Sequence, residues 1–84
     1  MDKAFNLTAK ELIEKIFEMD DTICKDAAKN VSFASDDAFI ESLANWAGNS
    51  SGENPQDVYA MLKNSFETDQ LATLNEILEA DANG

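Results

Sequence analysis

Apolar residues recur at every third or fourth position along most of the chain, which is the spacing of one buried face of an α-helix. The first run follows Thr8-Ala9-Lys10-Glu11, a capping-box pattern in which the Thr hydroxyl and the Glu carboxylate each bind a free backbone N–H. Asp20 falls inside the apolar face, so a break at Asp20-Asp21 with a restart beyond it is one interpretation. We favour a single helix over residues 9–28, kinked near Asp20. Its apolar positions are Leu12, Ile13, Ile16, Phe17, Met19 and Ile23.

The short segment 30–34 alternates apolar and polar residues, but a lone strand of this length would have nothing to pair with. We therefore expect an extended connector whose Phe33 fills a gap in the core. Ser35 is a suitable N-cap for the next helix, and acids follow it in the first turn, where the helix dipole favours negative charge. The pattern predicts this helix over residues 36–47, ended by Gly48 in the left-handed conformation.

A further run opens at Asn54-Pro55, with Asn as the N-cap and Pro at the first helical position. It predicts a helix over residues 55–66. A straight continuation would rotate the apolar stripe away from the core, so we expect a break near Glu67-Thr68, with Thr68 as the cap of a last helix over residues 69–80. Residues 81–84 are expected to fray.

Every long segment is periodic at the helical spacing, and 84 residues are too few to close two cores. The sequence therefore predicts an all-α fold, a compact bundle of four to five short helices without a sheet, as a single domain over residues 1–84. No segment has the length and apolarity of a membrane span or a signal peptide. Cys24 has no second cysteine to pair with and lies among apolar positions, so we expect a buried, inert thiol and a reducing, cytoplasmic location.

The charge excludes several classes of function. The chain has 17 acids against 6 bases, all of them lysine, and no histidine, for a net charge of −11. Direct binding to nucleic acid or to an anionic membrane needs cationic side chains that this chain lacks. Catalysis through histidine is impossible, and no EF-hand, zinc or phosphate-loop pattern is present. We therefore expect a non-enzymatic protein with no catalytic, cofactor-binding or metal-binding residues.

The distribution of charged residues along the chain is more informative than the net charge. Residues 1–29 hold seven acids and five lysines, whereas residues 30–84 hold ten acids and Lys63 alone. Solubility needs a net charge of only about 2 to 8, usually with both signs interspersed. An acidic surface that merely keeps the fold in solution is one interpretation, and a surface that contacts a basic partner is the other. The candidate contacts are Asp36, Asp37, Glu41, Asp57, Asp69, Glu76 and Glu79, with Trp46 and Tyr59 as anchors if either is exposed.

The segment Phe33-Ala34-Ser35-Asp36-Asp37 resembles acyl carrier proteins in its position. Those proteins are acidic four-helix domains of similar length, with a modified Ser at the start of a helix. Their Asp-Ser-Leu motif is not reproduced, because Ala34 precedes Ser35 and Asp36 follows it. A capping role explains Ser35 without a prosthetic group.

The function predicted from these observations is stoichiometric inhibition. The acidic helices would dock on a basic surface, such as the nucleic-acid channel of a partner protein, and block it. In size and charge the chain resembles the anti-CRISPR and other DNA-mimic proteins of phages and mobile elements, with no shared motif behind the likeness. The alternative is a small helical adaptor or regulatory protein that binds through an apolar groove, of which a homodimer is the simplest form.

Overall fold

A computed structural model describes residues 4–84 of the chain. Within these residues the backbone forms helices joined by short connections, and no strand is present. The all-α bundle predicted from the sequence is thereby confirmed. The helices are α1 (Ala9–Phe17), α2 (Asp21–Asn30), α3 (Asp36–Ser51), α4 (Pro55–Ser65) and α5 (Thr68–Asn83).

The core is shared by all five of these helices. The helix α3 packs mainly on α4, to which a three-residue connection joins it, and α2 packs mainly on α5. The helix α1 joins the two pairs through contacts with α2, α3 and α5. Burial of apolar surface is the main force that holds so small a bundle together. Its largest fully buried side chains are Phe39, Leu12, Ile13, Ile16, Leu43, Leu62, Leu74 and Leu78.

Most of the predicted capping residues form the expected hydrogen bonds at the start of their helices. Thr8 and Glu11 form the reciprocal capping box at the start of α1. Ser35 accepts a hydrogen bond from the backbone N–H of Ala38, and Asn54 caps α4 with Pro55 at its first position. The last helix differs from the prediction at both ends. Glu67, not Thr68, is its N-cap, and the helix continues to Asn83 instead of fraying after residue 80.

The single helix predicted over residues 9–28 is wrong, because the chain breaks between α1 and α2. Met19 has a φ of 61°, and its N–H donates to the carbonyl of Ile16 while the N–H of Asp20 donates to that of Lys15. This pair of bonds is the Schellman motif that ends many helices. The Asp20 carboxylate then accepts from the N–H of Ile23 and so caps α2. Met19, predicted on the buried face, is consequently 68% exposed.

Gly48 was predicted to end its helix, and this is also wrong. It lies inside α3, where it is buried, and the left-handed residue that ends the helix is Gly52, with a φ of 80°. A Cβ atom at Gly48 would lie 2.9 Å from the carbonyl oxygen of Glu53 and 2.9 Å from the Cα of Pro55. The absence of a side chain therefore lets the start of α4 cross directly over α3.

Replacing Met19 with glycine should stabilise the protein. The left-handed conformation costs a non-glycine residue about 1–2 kcal/mol, while glycine raises the entropy of the unfolded chain by about 0.4–1 kcal/mol. We expect Met19→Gly to raise the free energy of unfolding by about 0.5–1 kcal/mol. Urea denaturation followed by circular dichroism measures this change. Met19→Ala is the control, because it removes the exposed side chain but keeps the strained backbone. Equal stability of the two variants would contradict the explanation.

Candidate protein-docking surface

The seven carboxylates predicted as partner contacts are all exposed. They lie on α3, α4 and α5, and we call them the acidic surface. Among residues 4–84, ion pairs join Lys15 to Glu18 at 3.5 Å and Lys25 to Asp21 at 3.2 Å, both outside the acidic surface. The acids of α1 and α2 are thus partly neutralised by neighbouring lysines, whereas those of the acidic surface have no such partner within the described residues.

The structure divides the acidic surface into three sets. Asp36 and Asp37 border a groove together with Thr68 and Leu71 from the first turn of α5, the turn that also contains Asp69, although Asp69 does not line the groove. Glu41 borders a second groove with Pro55 and Gln56 at the start of α4; Asp57 follows them in the chain but does not line the groove. The last set is formed by Glu76 and Glu79, one helical turn apart on the exposed side of α5.

Four of the seven acids also have a structural function. Asp36, Asp37, Asp57 and Asp69 all occupy the first turn of a helix. A carboxylate in this position interacts favourably with the free N–H groups and the helix dipole, by about 0.3–1 kcal/mol. Their presence is therefore explained without a partner protein.

Helix stability does not explain the remaining three acids, Glu41, Glu76 and Glu79. Glu79 is close to the C-terminal end of α5, where the dipole disfavours negative charge. The last turn of α5 has no basic residue that would offset this unfavourable interaction. These three residues, and above all the two on α5, are the acids that most require another explanation.

Two further acids prove to be structural. The Glu53 carboxylate accepts a hydrogen bond of 2.7 Å from the backbone N–H of Ala9, so it ties the connection between α3 and α4 to the start of α1. Glu11 accepts a bond of 2.9 Å from the N–H of Thr8 and also interacts with the Thr8 side chain, which together lower the pKa of Glu11. The capping box can be predicted from the sequence because its two residues are three positions apart. The contact between Glu53 and Ala9 cannot, because it joins residues distant in the chain.

The two aromatic residues considered as anchors differ in exposure. Trp46 is only 5% exposed, and its Nε1 donates to the carboxylate of Asp26 at 2.8 Å, which joins α3 to α2. It therefore belongs to the core and cannot anchor a partner. Tyr59 is half-buried and lines the second groove beside Glu41.

Cys24 is buried, as expected, and its chemistry is unfavourable for a nucleophile. Its Sγ lies 3.8 Å from the carbonyl oxygen of Ile16. Burial, followed by the negative charges of Asp81, Asp20 and Asp21, raises the pKa of the thiol to about 11. The thiol is therefore protonated at neutral pH, and the reactive thiolate is scarce.

Across residues 4–84, no group of three or more His, Cys, Asp or Glu side chains is arranged to hold a metal ion. None of the helices described is both long enough and apolar enough to cross a membrane. Comparison with known proteins gave no match to a family model, to a curated protein or to a solved structure.

Proposed function

We propose that this protein is a non-enzymatic inhibitor that binds a basic partner protein through its acidic surface. The partner is one that normally binds nucleic acid, and the carboxylates of the helices occupy sites that phosphates would fill. Glu76 and Glu79 are the observation that carries this proposal. They are exposed, they have no ion-pair partner among the described residues, and no requirement of the fold explains them.

The spacing of the carboxylates is compatible with such a role. Residues three apart on a helix have side chains about 5–6 Å apart, and residues seven apart are separated by about 10 Å along the axis. Glu76 and Glu79 have the first separation, and Asp69 and Glu76 have the second. Rows of negative charge at this scale resemble a nucleic-acid strand. This mode of action is that of the DNA-mimic proteins, anti-CRISPR proteins among them, to which the chain is similar in size and charge.

The alternative, binding through an apolar surface, has less support. Among residues 4–84, Met19 is the only large apolar side chain that is exposed. Interfaces of homodimers bury extended apolar areas, whereas the other large apolar residues at the surface, such as Phe17, Leu71 and Ile77, are partly buried against the core. The distribution of exposed groups therefore favours a partner recognised by charge.

Reversing the two charges on α5 tests the proposal. The partner would be captured from the native host at low salt, identified by mass spectrometry, purified and then titrated with the variants. We expect Glu76→Lys combined with Glu79→Lys to weaken binding at least about tenfold, or 1.4 kcal/mol. Binding of the unmodified protein should weaken as salt is added, because exposed charges are screened.

A matched control separates the surface from the net charge. Glu14→Lys combined with Glu18→Lys changes the net charge by the same four units, on exposed positions of α1 and its C-cap. We expect this variant to retain most of the affinity. Equal losses in both double variants would show that only the net charge matters, and unchanged affinity in the α5 variant would reject the proposed surface.

A further inference from the structure

The groove bordered by Asp36 and Asp37 lies where the start of α3, the end of α4 and the start of α5 meet. Its volume is about 230 Å³. Buried apolar residues of α3 and apolar residues of α5 form most of its wall, and two carboxylates stand at its rim. The residues that matter for its chemistry are Asp36, Asp37, Ile40, Lys63, Leu71 and Ala72.

The rim of this groove carries unbalanced charge. Asp36 and Asp37 are exposed, and neither forms an ion pair within the described part of the chain. Lys63, the single cation of residues 30–84, borders the same groove. Its ammonium is nevertheless not within ion-pair distance of either aspartate, so among residues 4–84 no cation competes with an incoming group for these two carboxylates.

We propose that this groove receives an arginine side chain of the basic partner. The apolar wall formed by Ile40, Leu71 and Ala72 suits the aliphatic stem and the flat face of the guanidinium. The rim carboxylates suit its forked N–H donors, and a charge-assisted hydrogen bond is about twice as strong as a neutral one. Lysine suits the site less well, because its ammonium is more strongly hydrated and cannot bind in the bidentate manner. This inference rests on the proposed function and adds to it a position and a residue type.

The groove can be filled without a change of charge. Ala72 is exposed on α5 and lines the groove, so Ala72→Leu would occupy the space while keeping a strong helix-forming residue. Ala60→Leu is the matched control, because Ala60 is exposed on α4 and is not part of the groove wall. Circular dichroism and thermal denaturation establish that both variants fold.

The probe is a short arginine-rich peptide, compared with a lysine-rich peptide of the same length and charge. Binding would be followed by ¹⁵N nuclear magnetic resonance at constant ionic strength. We expect the arginine peptide to bind more tightly and to shift the amide signals of Ile40, Leu71 and Ala72 most. Ala72→Leu should weaken its binding about fivefold or more, whereas Ala60→Leu should leave it unchanged. Lys63→Gln should strengthen binding, because it removes a repelling charge.

The outcomes distinguish this inference from the proposed function. If Ala72→Leu binds the arginine peptide as tightly as the unmodified protein, the groove is not the site and the inference is rejected. If binding is then lost in the Glu76→Lys, Glu79→Lys variant, the acidic surface still binds cations and the proposed function stands. If the peptide shows no salt-dependent binding to the unmodified protein, the inference is overturned, whereas the proposed function is decided by the titration of the purified partner.

Discussion

Replacing Gly48 with valine is expected to lower the free energy of unfolding by about 3 kcal/mol, toward the upper end of the usual cost of overpacking. The added Cβ would meet the backbone of Glu53 and Pro55 at about 2.9 Å, and backbone atoms cannot rotate away as a side-chain end could. The start of α4 would have to move. Since the carbonyl of Gly48 also accepts a hydrogen bond of 2.8 Å from the N–H of Glu53, that movement strains the end of α3 as well.

The displacement should be detectable beyond the site of the substitution. Glu53 binds the backbone N–H of Ala9, so movement of the connection withdraws a partner from the start of α1. Urea denaturation followed by circular dichroism measures the loss of stability, and amide hydrogen exchange at the first turn of α1 measures its spread. Asn49→Val is the control, since it puts the same side chain on the next, exposed residue of the helix. A similar loss in both variants would attribute the effect to valine in a helix.

The substitution Phe39→Ala is expected to cost about 3–5 kcal/mol. Phe39 is only 1% exposed, and its ring lies 5.9 Å from that of Phe33, stacked at an interplanar angle of 24°. Its removal takes a large apolar surface from the core and leaves a cavity. Single domains are typically stable by only about 5–15 kcal/mol, so this variant should unfold at a much lower urea concentration and temperature.

The stacked pair offers an internal control. Phe33 is half-buried on the connector before α3, so Phe33→Ala should cost clearly less than Phe39→Ala. The double variant should cost less than the sum of the two, by about 0.5–1.5 kcal/mol, because the stacking energy can be lost only once. Additive effects would show that the rings do not stabilise one another. A larger effect at Phe33 would show that the connector, not α3, holds the core.

Local features of the fold could be predicted from the sequence, because they depend on residues close together in the chain. Thr8 with Glu11, Ser35 and Asn54 were identified as caps because each satisfies N–H groups within three positions. The apolar periodicity likewise located the buried faces. The periodicity placed Met19 wrongly on the buried face. This residue continues the apolar pattern, but the helix has already ended and the backbone is in the left-handed conformation.

The remaining errors arise from contacts between distant residues. The segment from Gly48 to Gly52 contains two glycines, and only the approach of α4 decides that the first is needed for close packing and the second for the left-handed turn. The exposure of all seven acids followed from helical spacing. The position of Asp36, Asp37 and Glu41 beside grooves did not, because it depends on how α3 is placed relative to α4 and α5.

Trp46, buried and hydrogen-bonded to Asp26, gives this protein an intrinsic fluorescence probe of its core. Trp46 is the single tryptophan, and it is buried at the contact of α2 with α3. Its fluorescence reports the integrity of the core and, because the ring is buried, should change little when a partner binds the exposed carboxylates. Unfolding and docking can therefore be observed as separate events in one unlabelled sample.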